Sequence, residues 1–166
     1  MKIDSTRFGS IDIDPEAMIR FPNGPVGFPN ERSFVLLRRS DDSPLAWLQS
    51  TTSPELAFPV VSAHALGHDY PDVDPSPSVE EAGIAGGAGE LAILVVLAAA
   101  PGAPATVNLL APIVVNVTTR AAAQIFLRDS RYRARELFAL APLDAPESAA
   151  GNVAPPQAEP ALAVGA

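Results

Sequence analysis

The sequence contains no cysteine and a single lysine, Lys2, and aromatic residues make up only 6% of its 166 positions. Without cysteine there is no disulfide, no thiolate metal site and no cysteine nucleophile, a usage that fits a reducing compartment. No apolar run approaches the ~20 residues that a membrane span requires. The longest, residues 91–100, is bounded by Glu90 and Pro101 and reads as a buried strand. The N-terminus is charged from the start and lacks the basic-then-apolar layout of a signal peptide, so the expected location is the cytoplasm.

Basic residues are also missing from a wide interval. No lysine or arginine occurs between Arg39 and Arg120, whereas that interval carries Asp41, Asp42, Glu55, Asp69, Asp72, Asp74, Glu80, Glu81 and Glu90, within a net charge of −8. Such a surface repels phosphate backbones and attracts basic partners, so direct nucleic-acid binding and membrane association are not expected. Simple solvation of acidic loops is the ordinary alternative.

Catalytic patterns are equally scarce. His64 and His68 are four residues apart, but position 65 is alanine where a zinc-peptidase motif needs glutamate, and Gly67 disfavours a helix there. The glycine-rich run 83–89 is followed by no lysine that could hold a phosphate, and no G-x-S-x-G elbow exists for a serine nucleophile. No cofactor or metal is expected, and a binding protein is favoured over an enzyme. The competing reading is a small-ligand-binding or enzymatic β-barrel that uses His64 and His68.

What the sequence does contain is a series of short strand signals with turn residues every eight to twelve positions. Residues 2–8 and 10–14 alternate around Gly9 and suggest two strands joined by a tight turn there. Residues 18–21, 33–38, 46–50, 57–61, 91–99 and 121–127 are further candidates. The loop 22–29 holds three prolines and two glycines, which makes it stiff and shaped for the display of Phe21 and Phe28, with Phe28 as a plug for the core the commoner alternative. Ser78 and Glu81 form a capping-box pattern for a helix of about one turn that Gly83 ends. Residues 128–138 are basic and suit a short helix or an extension. From residue 142 onward the chain is alanine, proline and glycine with few large apolar residues, too few to offset the entropy of ordering. The expectation is a mainly β protein: a small antiparallel β-barrel-like single domain over residues 1–141, with short helical segments and a disordered tail over 142–166.

One segment is more particular. Thr106-Val107-Asn108-Leu109-Leu110-Ala111-Pro112-Ile113-Val114-Val115-Asn116-Val117 has the β-branched content of a strand with a proline in mid-run, so it is an interrupted strand. Asn108 and Asn116 bring amides into an apolar ribbon, where they serve either a docking edge or their own turns.

That block, together with Phe21-Pro22-Asn23-Gly24-Pro25-Val26-Gly27-Phe28, Trp47-Leu48-Gln49-Ser50, Pro54-Glu55-Leu56-Ala57-Phe58 and Gln124, resembles the FliW flagellar assembly factors, in the same order and with similar spacing from about residue 1 to 132. Ala121-Ala122-Ala123 depart from the glycine and lysine usual there, and the long tail has no counterpart. The resemblance implies a cytoplasmic, non-enzymatic, barrel-like protein that binds flagellin. In a partner switch it also binds and antagonises the translational regulator CsrA, an RNA-binding protein with a basic surface, which relieves repression of flagellin translation. A monomer is expected when free. Chemistry then nominates Asn108, Leu109, Leu110, Pro112 and Asn116 with Pro22, Gly24 and Phe28 as a recognition surface. Asp69, Asp72, Asp74, Glu80 and Glu81 are the acidic attraction for CsrA.

Overall fold

A computed structural model describes residues 1–41, 43–67, 70–71, 75–84, 90–128, 131–139 and 157–158. The strands are β1 (Lys2–Ser5), β2 (Gly9–Asp12), β3 (Ile19–Arg20), β4 (Ser33–Arg38), β5 (Leu45–Ser50), β6 (Ala57–Ser62), β7 (Leu91–Ala98), β8 (Thr106–Val107), β9 (Ile113–Asn116), β10 (Ala122–Gln124), β11 (Glu136–Leu137) and β12 (Gln157–Ala158). One α-helix, α1 (Ser76–Glu81), and two 3-10 turns, Pro15–Ala17 and Ala63–Leu66, complete the described elements.

The main sheet runs β10-β9-β7-β6-β5-β4, with every ladder antiparallel. Its two ends approach each other through β3, which pairs with β4 and makes a single bridge from Arg20 to Ala121. The sheet therefore curls into a barrel-like wall that stays incompletely closed. Alternation decides what each face meets. Phe34 and Leu36 of β4, Ala46 and Leu48 of β5, Val60 of β6, Leu94 of β7, and Ile113 and Val115 of β9 point inward and fill the interior with Ile19 and Phe21.

The intervening residues are buried too, which is why β4, β7 and β9 read as nearly continuous apolar runs. Val35 and Leu37 pack under the β1–β2 hairpin with Ile3, Ile11 and Ile13. Val114 lies beneath α1 with Val79, Ile84, Ile125 and Leu127. Val61, Val95 and Leu97 pack with Val107.

Three expectations need correction. The first hairpin turns at Thr6–Phe8, and Gly9 begins β2, because Ser5 Oγ accepts from the backbone N–H groups of Arg7 and Phe8 at 3.2 Å and shapes the turn earlier. Phe21 is not displayed: it is 1% exposed, packed edge-on against Phe34 at 5.2 Å. Helix α1 starts at Ser76, so Ser78 lies inside it and forms no capping box. Residues 131–139 take the extended form of the two offered, with β11 on β8. Of the tail, only β12 is among the described residues, placed antiparallel on β4.

Two polar hubs fasten the outer layers. Gln49 is fully buried, and its amide oxygen accepts from Ser5 Oγ at 2.7 Å. Its Nε2 donates to the carbonyls of Ser50 and Leu56 at 3.0 Å and lies 3.4 Å from those of Ser53 and Pro54. One side chain thus holds the hairpin to the 51–56 loop, where Thr6 N–H also donates to the Pro54 carbonyl at 2.9 Å. Beside it, the Glu31 carboxylate accepts from the hydroxyls of Ser53, Ser50 and Thr52. Bonds from Ser53 and Ser50 outweigh the opposing effect of partial burial and, with a smaller one from Thr52, hold this carboxyl below the ordinary glutamate value.

Replacement Gln49→Leu strands buried carbonyls and should cost on the order of 2 kcal/mol in urea unfolding. A loss below about 0.5 kcal/mol, the range of a neutral surface change, would contradict the hub. Glu31 has a folded pKa below its unfolded one, so its contribution is fully present above the unfolded value of 4.5 and is lost as pH falls through the lower folded value. The stability gap between the wild type and Glu31→Gln should therefore be constant at neutral pH and shrink in acid. A gap that grows toward acid would refute the assignment.

Candidate functional site

The proline break of residues 106–117 produces two strands with a five-residue corner between them. Asn108 Oδ1 accepts from the Ala111 N–H at 3.0 Å, so this amide closes its own corner. The N–H groups of Leu109 and Leu110 donate to the Arg133 carbonyl at 3.1 and 3.2 Å, and the hydroxyl of the half-buried Tyr70 donates to the Leu109 carbonyl at 2.9 Å. Burial, with the neighbouring Tyr132, pushes the Tyr70 phenol well above its ordinary pKa, so it stays protonated and keeps the proton that this bond needs. Asn116 is 1% exposed, and its Oδ1 accepts from Thr118 and Thr119 N–H at 2.9 and 2.8 Å. Pro112 is buried as well. Asn116 therefore closes the turn from β9 to β10, Pro112 is buried within the corner, and Leu109 and Leu110 are half-buried on it.

The corner meets the proline-rich loop through Gln124 at the end of β10. Gln124 Nε2 donates to the Ala111 carbonyl at 3.0 Å, and its Oε1 accepts from the Val26 N–H at 3.0 Å. Backbone bonds from Ile125 to Pro112 and from Leu127 to Leu110, both 3.0 Å, continue the contact. The loop is set internally by the Gly24 N–H to the Phe21 carbonyl, the Phe28 N–H to the Pro25 carbonyl and the Arg32 guanidinium on the Pro22 carbonyl. Gly24 has φ +67°, and a Cβ there would lie 2.1 Å from the Phe28 carbonyl oxygen, so only glycine fits.

The two segments nominated from the sequence thus form one continuous face. Its apolar points are Val26, 54% exposed, Phe28, 40% exposed and edge-on to Phe58, and Phe126, 54% exposed. Pro22 is also exposed. The sequence does not nominate Phe126, and Gln124 enters there only through the family resemblance, because both act through contacts made in the folded state. The only available signal was a lone glutamine and phenylalanine in an alanine-rich strand.

Helix α1 flanks this face. Ser78 Oγ donates to the Phe126 carbonyl at 2.9 Å, and Glu81 pairs with Arg128 at 2.6 Å, both side chains well exposed. Glu80 is exposed on the same helix. Asp69, Asp72, Asp74 and His68 lie outside the described residues. His64 is exposed on its 3-10 turn, and among the described residues no group of three His, Cys, Asp or Glu side chains could hold a metal ion. Two open clefts lie outside the filled interior: one of about 370 Å³ beside Arg7, Gln49 and Glu55, the other of about 530 Å³ beside Tyr70, Leu109 and Phe138. His64 lines neither. No helix among the described residues is long and apolar enough to cross a membrane.

The sequence and the fold are similar to those of known proteins. The family model described as FliW protein matches residues 2–138. The flagellar assembly factor FliW of Heliobacterium modesticaldum is 39% identical over 135 residues, spanning 80% of this chain and 86% of that protein. FliW 2 of Desulfotalea psychrophila is 35% identical over 134 residues, spanning 80% and 87%. A crystal structure of the flagellar assembly factor FliW superposes with a TM-score of 0.72 at 31% identity, covering 82% of this chain and 96% of the other. With the match running from β1 to the end of the basic extension, the chain belongs to the FliW family.

Proposed function

We propose that this chain is a non-enzymatic, cytoplasmic flagellar assembly factor that binds flagellin and, in a partner switch, binds and antagonises CsrA, thereby relieving repression of flagellin translation. The observation that carries this reading is the rigid apolar face of Val26, Phe28 and Phe126, mounted on a loop and a corner that Gln124 ties together. Exposed aromatic side chains on a preorganised backbone are what a peptide-binding surface needs, since little ordering entropy is left to lose on docking. Flagellin is assigned to this face, with Pro22, Leu109 and Leu110 at its margin and Gly24, Pro112, Asn108 and Asn116 holding its shape.

CsrA is assigned to the acidic flank. Glu80 on α1, with Asp69, Asp72 and Asp74 earlier in the sequence, supplies negative charge for a basic RNA-binding partner. Glu81 contributes less, because Arg128 already neutralises it. The family names support the flagellar role, and the filled barrel interior favours surface binding over a ligand pocket.

Phe126→Ser removes an exposed ring and should change the melting temperature little while weakening flagellin binding at least tenfold in calorimetry. Asn116→Ala should do the reverse, lowering stability by about 1–3 kcal/mol through its two stranded N–H groups, with flagellin affinity retained in the folded fraction. CsrA binding should weaken as salt is raised from 50 to 300 mM and weaken further in Glu80→Lys. Absence of binding to either protein at micromolar concentration would sink the proposal.

A further inference from the structure

We propose that the segment at Gln157–Ala158 is a built-in strand cap for the outer edge of β4. The Ser33 carbonyl accepts from the Thr51 N–H at 3.0 Å, so Ser33, Val35 and Leu37 turn their backbone groups toward β5. By alternation Phe34, Leu36 and Arg38 present theirs to the other side. β3 occupies only the first part of that side, with Ile19 opposite Phe34. Farther along, Gln157 stands opposite Arg38 and Ala158 opposite Leu37. The occupant of this stretch is therefore the chain itself.

The edge needs such cover. Val35, Leu36 and Leu37 are at most 2% exposed, so the strand carries no charged side chain before Arg38 to discourage another strand from pairing there. The tail sequence suits the task. Pro155-Pro156 precede Gln157 and Pro160 follows Glu159. Proline lacks an N–H and biases the residue before it to extended conformations, so the triplet Gln157-Ala158-Glu159 is inclined to be a strand. The same prolines stop pairing from spreading, and the cap does not become a long adhesive edge itself. The family match ends at residue 138, so the cap is an addition to the family domain rather than part of it.

The test is amide hydrogen exchange on the full chain. The Arg38 amide, paired with Gln157, should exchange at least tenfold faster in Gln157→Pro, while the Leu37 amide, which faces β5, is unchanged. In Ala158→Pro, where the replaced N–H points away from β4, Arg38 should keep its protection. Arg38 protection that survives Gln157→Pro, or that is lost equally in both variants, overturns the proposal. Protection that rises with protein concentration assigns the edge to a second copy and overturns it too.

Discussion

The burial of both faces of the central strands is the constraint on which this structure depends. A barrel wall whose inward side chains fill the interior, and whose outward side chains Val35, Leu37, Val61, Val95 and Val114 are also apolar, cannot stand in water alone. It needs outer layers, and a two-stranded hairpin or a six-residue helix has too little surface of its own to be stable. Side-chain hydrogen bonds supply the missing attachment. Gln49 fastens the hairpin, Glu31 fixes the loop beneath it, and Ser78 with Glu81 holds α1 to the strand extension. Each polar group is satisfied within the same bond set that fixes a layer, so stability and shape come from the same contacts.

Much of the wall was legible from local chemistry. Ser33–Arg38, Ala57–Ser62 and Leu91–Ala98 are apolar runs between turn residues, and their strand character follows from residues near one another in sequence. Pro112 likewise announces the break between β8 and β9. The hubs were less legible. Nothing in the neighbourhood of Gln49 says that its partner is Ser5, and nothing near Gln124 points to Val26. The two errors differ in cause: the first hairpin is turned by a local bond set on Ser5 Oγ that the glycine at position 9 masks, whereas Phe21 is covered by Phe34 from the neighbouring strand β4. For the site, the proline-rich loop and the corner were visible as separate motifs. They were also nominated together as one surface, but the bonds from Gln124 that join them were not legible, and Phe126, the most exposed aromatic side chain there, had no local signature.

Under the proposed reading, the apolar face and the acidic helix are mechanically linked. The Phe126 carbonyl holds Ser78, and Arg128, two residues on, holds Glu81. A partner that presses on the Phe126 ring therefore pushes on the segment that positions α1. Mutual exclusion of two partners then requires only a small displacement of this shared strand extension, with no large domain motion.

The Gln124 amide also sets an order in time. It joins the Val26 backbone to a residue almost a hundred positions later in the chain, so this bond forms only after most of the protein has left the ribosome. Prolines and Gly24 narrow the loop's choices early, but the contact that selects among them arrives late. A nascent or truncated chain can build strands and bury aromatics and still present no finished surface to a partner. Under the proposed reading, competence to bind then follows completion of the domain.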